Sequence, residues 1–212
     1  MFATQPKLFN PIEKYNRTDE VIFAGSWYVY HEERCREMEE IFDKILDSGK
    51  KLVIYNRYYG DSDPNHVFPK KYEPYIRPAL PFEEIDKAYK GSEIALNITT
   101  VTESETMFAR RVFELASCNT AIISNYSAGI EKVFGDNIIF TDRELDFSNL
   151  EEKKAANLEN VLTYHTYSNR LEQMLNDIGY EYLLEDRSVS IYYCIENKDG
   201  LEKAIKNFQN IT

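Results

Sequence analysis

Two groups of polar residues stand where ligand-binding side chains are expected in a parallel sheet. Asn97 and Thr100 follow a short apolar run at residues 94–96. A second apolar run, at residues 121–123, leads to Ser127, Ala128 and Gly129. In open parallel sheets, ligands bind outside the carboxyl ends of the strands. Hydroxyls, amides and a glycine at two such ends suit a ligand with phosphates and sugar hydroxyls, although loop formation alone explains Asn97 and Thr100 equally well.

A predicted helix at residues 104–117 joins these runs and carries two arginines and a glutamate. The carboxylate of Glu114 can accept the two hydrogen bonds of a vicinal diol, and a guanidinium can neutralise a diphosphate. Adjacent helix residues point about 100° apart, so we expect only one of Arg110 and Arg111 to face a site. Arg111 is favoured because it lies three residues before Glu114 and shares its face. The alternatives are a solvated glutamate and a surface ion pair.

Other residues are placed to bind phosphate. Ser104, Thr106 and Met107 open the predicted helix, with Ser104 as its cap. Free N–H groups at a helix N-terminus attract phosphate, but capping alone explains Ser104 equally well. Arg57 follows a predicted strand and could also reach a phosphate, although such a residue is more often simply solvated.

The composition excludes some classes of protein. The net charge of -11 argues against nucleic acid as the main partner, because phosphate binding needs a basic face. The 3 cysteines are far apart and form no C-x-x-C pattern, which indicates a reducing compartment. Neither a signal peptide nor a membrane-spanning apolar run is present, so we expect a soluble, cytoplasmic protein. No two histidines have metal-ligand spacing, and we expect neither a metal nor another cofactor.

Apolar runs alternate with helical spacing along the chain. Met38, Ile41 and Ile45, spaced by three and four residues, are typical of one helix face. The predicted strands are residues 21–24, 52–55, 75–80, 93–96, 120–123 and 138–140, and the predicted helices are 31–48, 81–90, 104–117 and 128–134. This alternation predicts an α/β fold, a Rossmann-like parallel sheet with helices on both faces.

The predicted organisation is a lead-in at residues 1–19, one Rossmann-like domain at 20–180 and a tail at 181–212. Residues 150–179 are predicted to form a C-terminal helical segment. The tail carries a predicted strand at 189–194 and a predicted helix at 200–208. One such βα unit cannot bury itself, so it either adds to the sheet or begins a further, truncated domain.

Several stretches together resemble a known family. These stretches are FAGSWYVYHEERCREM, YEPYIRPALPFEEIDKAYKGSEIALN, SETMFARRVFELASCNTAIISNYSAGIEKVF and HTYSNRLEQML. In this order and spacing they resemble the glycosyltransferases of the spore-protein CgeB group, relatives of the large GT-B families. The resemblance covers about residues 20–178 and corresponds to the C-terminal, donor-binding half of a GT-B enzyme. The tail, SVSIYYCIENKDGLEKAIKNF, resembles the start of a family-2 GT-A glycosyltransferase domain.

The resemblance implies a function and its partners. Such a half binds a nucleoside diphosphate sugar, here expected to be a UDP-sugar, for transfer to the hydroxyl of a glycan or other acceptor in cell-surface glycan synthesis. The other GT-B half and a GT-A domain would then be missing partners, and the chain would be a piece of a larger enzyme. GT-B enzymes generally use protein groups rather than a bound cation at the diphosphate. No catalytic base is identified in the sequence.

The resemblance also implies roles for particular residues. Retaining GT-B enzymes often carry two glutamates eight residues apart, the second of which binds the ribose hydroxyls. Glu114 matches the second position, and Thr106 replaces the first, which leaves the stereochemical outcome open. The turn at Gly25 and Ser26 corresponds to one near the diphosphate. The predicted donor-binding residues are Gly25, Ser26, Arg57, Tyr75, Ile76, Arg77, Asn97, Thr100, Ser104, Thr106, Met107, Arg110, Arg111, Glu114, Ser127, Ala128 and Gly129.

Within this set, residues 75–77 match the position at which the family's backbone meets the nucleobase, and residues 127–129 match a sheet-edge loop near the donor. Two other functions fit the same pattern. One is a flavodoxin-like regulatory or scaffold domain without a donor site. The other is a GT-B-fold epimerase acting on a nucleotide sugar, which would also need a second domain. His165 and Arg170 match the family on the late helix and are expected to tie that helix to the domain.

Overall fold

The computed structural model describes residues 2–12, 15–183, 200, 202–203 and 205–206. These residues form two compact units, one ending at Met174 and the other beginning at Leu175. The strand predicted at residues 189–194 lies outside the described residues. Within the helix predicted at residues 200–208, the residues that the structure describes are helical.

The described residues contain a 6-stranded sheet in the order β3-β2-β1-β4-β5-β6. The strands are β1 (Thr18–Gly25), β2 (Lys51–Asn56), β3 (Ile76–Pro78), β4 (Ser92–Asn97), β5 (Ala121–Ser124) and β6 (Ile139–Phe140). All the neighbouring strands pair in parallel. The predicted Rossmann-like parallel sheet is therefore confirmed.

Helices cover both faces of this sheet. They are α1 (Glu32–Asp47), α2 (Ile85–Gly91), α3 (Arg111–Ser117), α4 (Ala128–Phe134) and α5 (Leu150–Tyr164). A further helix, α6 (Tyr167–Asp177), has no buried residue and includes the boundary between the two units. Val21 and Phe23 of β1 lie in one buried cluster with the apolar face of α1. Ile22 and Ala24 lie in a second cluster with residues of α2, α3, α4 and α5. Successive strand residues point to opposite faces of the sheet. A strand whose residues are all apolar, such as the centre of β1, therefore contributes side chains to the buried clusters on both faces.

The prediction of one helix over residues 104–117 is wrong in its first half, because α3 begins at Arg111. Ser104 therefore caps no helix, and its Oγ instead accepts hydrogen bonds from the backbone N–H groups of Thr106 and Met107, at 3.3 and 3.0 Å. Phe108 lies in this irregular segment, and its side chain is buried. Phe108 and Val112 are four residues apart, as on one face of a helix, but Phe108 belongs to a loop.

Three other boundaries differ from the predictions. The strand predicted at residues 75–80 is shorter, since Lys70–Tyr75 forms a 3-10 helix and only Ile76–Pro78 is β3. The helix predicted at 81–90 begins as the 3-10 turn Phe82–Glu84 before α2. The helical segment predicted at 150–179 is divided into α5 and α6 at His165 and Thr166.

Residues before β1 pack onto the first unit. Thr4 forms a parallel bridge with Thr166, which lies between α5 and α6. The Arg17 guanidinium donates hydrogen bonds to the carbonyls of Ser92 and Cys118, at 2.9 and 2.7 Å. The Arg17 contacts join the starts of β1, β4 and β5 at the amino edge of the sheet, whereas Phe2 lines the cavity described next.

Candidate functional site

A cavity of about 510 Å³ opens at the carboxyl ends of β1 and β2. The strand order reverses between β1 and β4, and Ile98, directly after β4, also lines the cavity. This is the topological switch point at which open α/β sheets bind ligands. The polar residues that line it are Ser26, Tyr28, Arg34, Tyr55, Arg57, Tyr89, Arg110, Arg111 and Glu114.

The turn after β1 forms one wall. A Cβ atom on Gly25 would lie 2.4 Å from Cζ of Phe23, so the close packing of that ring requires glycine. Ser26 is buried, and its carbonyl accepts a hydrogen bond of 3.2 Å from Nη1 of Arg34, in the first turn of α1. The backbone N–H of Arg57 donates a hydrogen bond to the Gly25 carbonyl at 3.1 Å, which joins the ends of β1 and β2. Backbone contacts thus place Arg34 and Arg57 on the same cavity.

Arg110 and Arg111 both line the cavity, whereas the helical spacing predicted only one. Arg110 directly precedes α3, already has helical backbone angles, and lies four residues before Glu114. Its Nε donates to Oε1 of Glu114 at 2.6 Å, so Arg110, not Arg111, is the ion-pair partner of this carboxylate. Glu114 is only 5% exposed. A carboxylate buried to this extent needs a paired charge and hydrogen bonds, which Arg110 supplies.

Arg111 lies deeper in the same cavity. Its guanidinium carbon lies 5.6 Å from the centre of the Phe23 ring. Its Nε is buried and has no hydrogen-bond partner within the part of the chain that the structure describes. A buried N–H donor of this kind is stabilised when a ligand oxygen accepts its hydrogen bond.

The electrostatics favour an anion. Burial lowers the pKa of Arg34, and the nearby Arg111 guanidinium lowers it further. Both side chains nevertheless stay charged at neutral pH because a guanidinium does not deprotonate in proteins. We call Arg34, Arg57, Arg110 and Arg111 the arginine cluster. Like charges held together in a partly buried site create a strong local positive potential, although the chain as a whole carries a net charge of -11.

Residues 33–176 match a protein family described as glycosyl transferase-like, and this match covers more than half of the chain. The chain belongs to the glycosyl transferase-like family. The matched region contains Glu114 and the whole arginine cluster. A comparison with curated proteins gives no match.

Three solved structures are similar to this member of the family. A sucrose-phosphate synthase from Thermosynechococcus elongatus has a TM-score of 0.57 at 11% identity, covering 84% of this chain and 51% of that chain. An alpha1,3-fucosyltransferase has a TM-score of 0.38 at 14% identity, covering 81% of this chain and 38% of that chain. The pneumococcal O-GlcNAc transferase GtfA in complex with UDP and GlcNAc has a TM-score of 0.36 at 14% identity, covering 96% of this chain and 38% of that chain. The chain therefore spans about half the length of the first structure and less of the others.

Two predicted donor-binding residues at the end of β4 lie outside the cavity. Asn97 is fully buried, and its Nδ2 donates to Oγ of Ser124 at 3.0 Å, which links β4 to β5. Thr100 lines a neighbouring cavity of about 780 Å³. That cavity shares Arg34 with the first, so the two lie on either side of the Arg34 side chain.

The predicted residues at the start of α4 are packed inside the glycosyl transferase-like fold. Ser127 and Gly129 are buried, and the N–H of Ala128 donates to the Thr102 carbonyl at 2.8 Å. A Cβ on Gly129 would lie 2.5 Å from Cδ1 of Phe108. These residues hold the loop before α3 against the sheet edge. Ser104, Thr106 and Met107, in that loop, lie outside the 510 Å³ cavity.

The predicted nucleobase contacts on β3 also lie outside that cavity. The Nη1 atom of Arg77 donates to the carbonyls of Pro74 and Ile76, at 3.1 and 2.9 Å, so this guanidinium folds back on its own backbone. Ile76 lines a separate cavity of about 670 Å³ with residues of the loop after β2. Tyr75 ends the preceding 3-10 helix.

Arg34 lines the cavity although the sequence reasoning did not select it. The signal that could have found it is its place in the first turn of the helix that follows the Gly25-Ser26 turn. In the part of the chain that the structure describes, no group of three or more His, Cys, Asp or Glu side chains is placed to hold a metal ion. Likewise, no helix formed by the described residues is long and apolar enough to span a membrane.

Proposed function

We propose that this domain binds the nucleoside diphosphate sugar donor of a glycosyl transfer reaction in the cavity at the ends of β1 and β2. The observation that carries the proposal is the arginine cluster beside a buried carboxylate at the switch point of the sheet. A diphosphate matches the cluster in charge, and a ribose matches the carboxylate in hydrogen bonding. Membership of the glycosyl transferase-like family supports the same donor class.

In this proposal, Arg34, Arg57 and Arg111 bind the diphosphate. Arg57 follows β2, and Arg34, in the first turn of α1, is bound to the Ser26 carbonyl after β1, so both line the cavity. Arg111 lines the same cavity, and its Nε is a donor that the described residues leave unused. The sugar leaves the diphosphate when an acceptor hydroxyl attacks the anomeric carbon. The departing diphosphate oxygen keeps the electron pair of the broken bond, and the hydroxyl proton passes to a base or to solvent outside this domain. Guanidinium groups stabilise the charge that develops on this oxygen, which lowers the barrier.

Glu114 binds the ribose hydroxyls in this arrangement, and Arg110 orients it. The bond from Nε of Arg110 to Oε1 of Glu114 pairs the buried carboxylate with a positive charge and holds its orientation. An ionised carboxylate is an acceptor only, so it pairs with the two hydroxyl donors of a ribose diol.

The remaining parts of the reaction are proposed from the sequence resemblance. The first candidate donor is a UDP-sugar, and the acceptor is the hydroxyl of a glycan or other molecule in cell-surface glycan synthesis. The same resemblance places the chain in the CgeB group and adds a second GT-B half and a GT-A domain that continues the tail. No catalytic base is assigned to this chain, so the isolated domain is expected to bind donor and to transfer sugar poorly. Cys35 and Cys118 are buried free thiols, which supports a reducing compartment such as the cytoplasm.

Calorimetric titration with UDP, GDP and their sugar conjugates tests the proposal. We expect one nucleotide to bind and Arg111→Ala to weaken its binding roughly tenfold, the effect of losing a hydrogen bond to a charged group. The matched control is Arg36→Ala, which removes an exposed arginine of α1 that does not line the cavity. Equal losses in the two variants, or no binding of any nucleotide by the wild-type chain, would contradict the proposal.

A further inference from the structure

One buried amide joins three elements beside the arginine cluster. Asn125, directly after β5, is 1% exposed. Its Oδ1 accepts a hydrogen bond from the N–H of Thr99, and its Nδ2 donates to the Thr99 carbonyl, both at 2.9 Å. This pair of bonds fixes the turn after β4 to the end of β5. Ile98, the residue before Thr99, lines the cavity.

The same amide also reaches α1. Nδ2 of Asn125 lies 3.0 and 3.1 Å from Oε1 and Oε2 of Glu37 and donates to this carboxylate. Glu37 lies three residues after Arg34, one turn further along α1, so the two side chains are neighbours on the same face. Arg34 is in turn fixed to the turn after β1 by its bond to the Ser26 carbonyl.

We propose that Asn125 is a positioning residue for donor binding, which holds Glu37 away from Arg34 and so leaves the Arg34 guanidinium free for phosphate. The proposal rests on the proposed function, because it assigns Arg34 to the diphosphate. The competition is direct: a carboxylate three residues away on a helix pairs readily with an arginine. A paired Arg34 has less charge to offer an incoming phosphate.

The surroundings of Glu37 support this division of roles. Burial raises the pKa of Glu37, while the hydrogen bonds from Asn125 and the Arg34 charge oppose that effect. The carboxylate therefore needs one of these two partners, and Asn125 is the one placed to supply hydrogen bonds without using a cavity residue. The amide also sets the position of the Ile98 backbone, so one side chain positions two walls of the site.

An exchange of donor and acceptor tests the proposal. Asn125→Asp places two carboxylates opposite each other, and we expect UDP affinity to fall roughly tenfold, as for the loss of a hydrogen bond to a charged group. In Asn125→Asp with Glu37→Gln, the amide and the carboxylate exchange places and the bond to residue 37 re-forms, whereas the bond to the Thr99 carbonyl is lost in both variants. We therefore expect the double variant to bind UDP more tightly than the single variant, by about threefold or more. Equal affinity in the single and double variants would overturn the proposal.

A second measurement keeps the test decisive if Asn125→Asp does not fold. Glu37 is only partly buried on α1, so Glu37→Gln should fold, and Asn125 can still donate to the new amide oxygen. We expect Arg34→Ala to weaken UDP binding roughly tenfold, and Glu37→Gln, which keeps the contact, to change it less than threefold. Glu37→Lys removes the carboxylate that competes for Arg34, so it should not weaken UDP binding. A loss of tenfold or more from Glu37→Lys would refute the positioning role. A wild-type chain that binds no nucleoside diphosphate would overturn both this inference and the proposed function. If the wild-type chain binds UDP but the double variant binds it no better than Asn125→Asp alone, only the inference is overturned.

Discussion

At the scale of single residues, the site depends on how one buried negative charge is balanced. The Arg110 side chain is 47% exposed while that of Glu114 is 7% exposed, so the pair runs from the solvent side into the cavity. Removing Arg110 would leave the buried carboxylate unpaired, whereas removing Glu114 would leave a half-exposed guanidinium that water can solvate. The pair therefore matters most for the carboxylate, which is placed to accept hydroxyl donors.

Glu114 is expected to distinguish ribose from deoxyribose. If it accepts the 2′-hydroxyl, the wild-type chain should bind UDP roughly tenfold more tightly than 2′-deoxy-UDP, the value of a hydrogen bond to a charged group. Glu114→Gln keeps the shape but removes the charge, and it should reduce the preference to about threefold or less. Paired calorimetric titrations measure both ratios. Glu103→Gln changes an exposed glutamate and serves as control; a full preference retained by Glu114→Gln would exclude the ribose contact.

The sequence was sufficient to select part of the cavity lining. Gly25, Ser26 and Arg57 follow strands, and parallel strands must end on the same edge, so their meeting could be predicted. Arg34 was not selected; its place in the first turn of α1 was a usable signal, but the direction of its side chain depends on the hydrogen bond to the Ser26 carbonyl, which no residue spacing encodes. An ion pair between one of these arginines and Glu114 was an alternative from the sequence, and the structure shows that Arg110, four residues before Glu114, forms it.

At the scale of elements, the loop before α3 is held in place by close contact with α4. We expect Gly129→Ala to lower the free energy of unfolding by about 1–3 kcal/mol, since the new methyl would meet Phe108 and the Ser104 carbonyl, 2.8 Å away. Urea denaturation measures this change. The control is Gly91→Ala at the end of α2, where a Cβ meets nothing within 4 Å and the change should stay within about 0.5 kcal/mol. Similar effects at the two positions would show that the contact is not tight.

The junction between α5 and α6 should make stability depend on pH. Burial, with a smaller effect of the Arg170 charge, lowers the pKa of His165 to about 4. In the unfolded chain the pKa of histidine is about 6.5, so between these values the unfolded state binds more protons. The stability contributed by neutral His165 is complete above pH 6.5 and is lost as the pH falls towards 4.

The variant His165→Gln tests this dependence. The Gln side chain can still accept a hydrogen bond from Arg170, as Nδ1 of His165 does at 2.5 Å, but it cannot take up a proton. Denaturant unfolding at pH 7.5, 5.5 and 4.5 should show a smaller loss of stability on acidification in the variant than in the wild-type chain. An identical loss in both proteins would show that His165 is protonated with its ordinary pKa.

Element types were easier to predict than element ends. The strands read as unbroken apolar runs because both of their faces are buried, which the two cores on either side of β1 explain. The start of α3 was missed because Phe108, with helical spacing to Val112, is buried from a loop. The break between α5 and α6 was missed because it is stabilised by the distant Thr4, through its bridge to Thr166.

At the scale of the whole molecule, a strongly acidic chain carries its arginine cluster at one point of the sheet. The fold determines that point, because the strand order reverses between β1 and β4 and opens a crevice there. The overall net charge of -11 disfavours long nucleic acids, while a single small anion interacts mainly with the local cluster. Fold and charge together thus favour a compact, doubly charged ligand.

The most direct test of the central claim is a crystal structure of the chain grown with UDP. The account predicts the diphosphate within hydrogen-bond distance of Arg34, Arg57 or Arg111, with the ribose hydroxyls on the carboxylate of Glu114. UDP bound in another cavity, or absent from this one at saturating concentration, would contradict it.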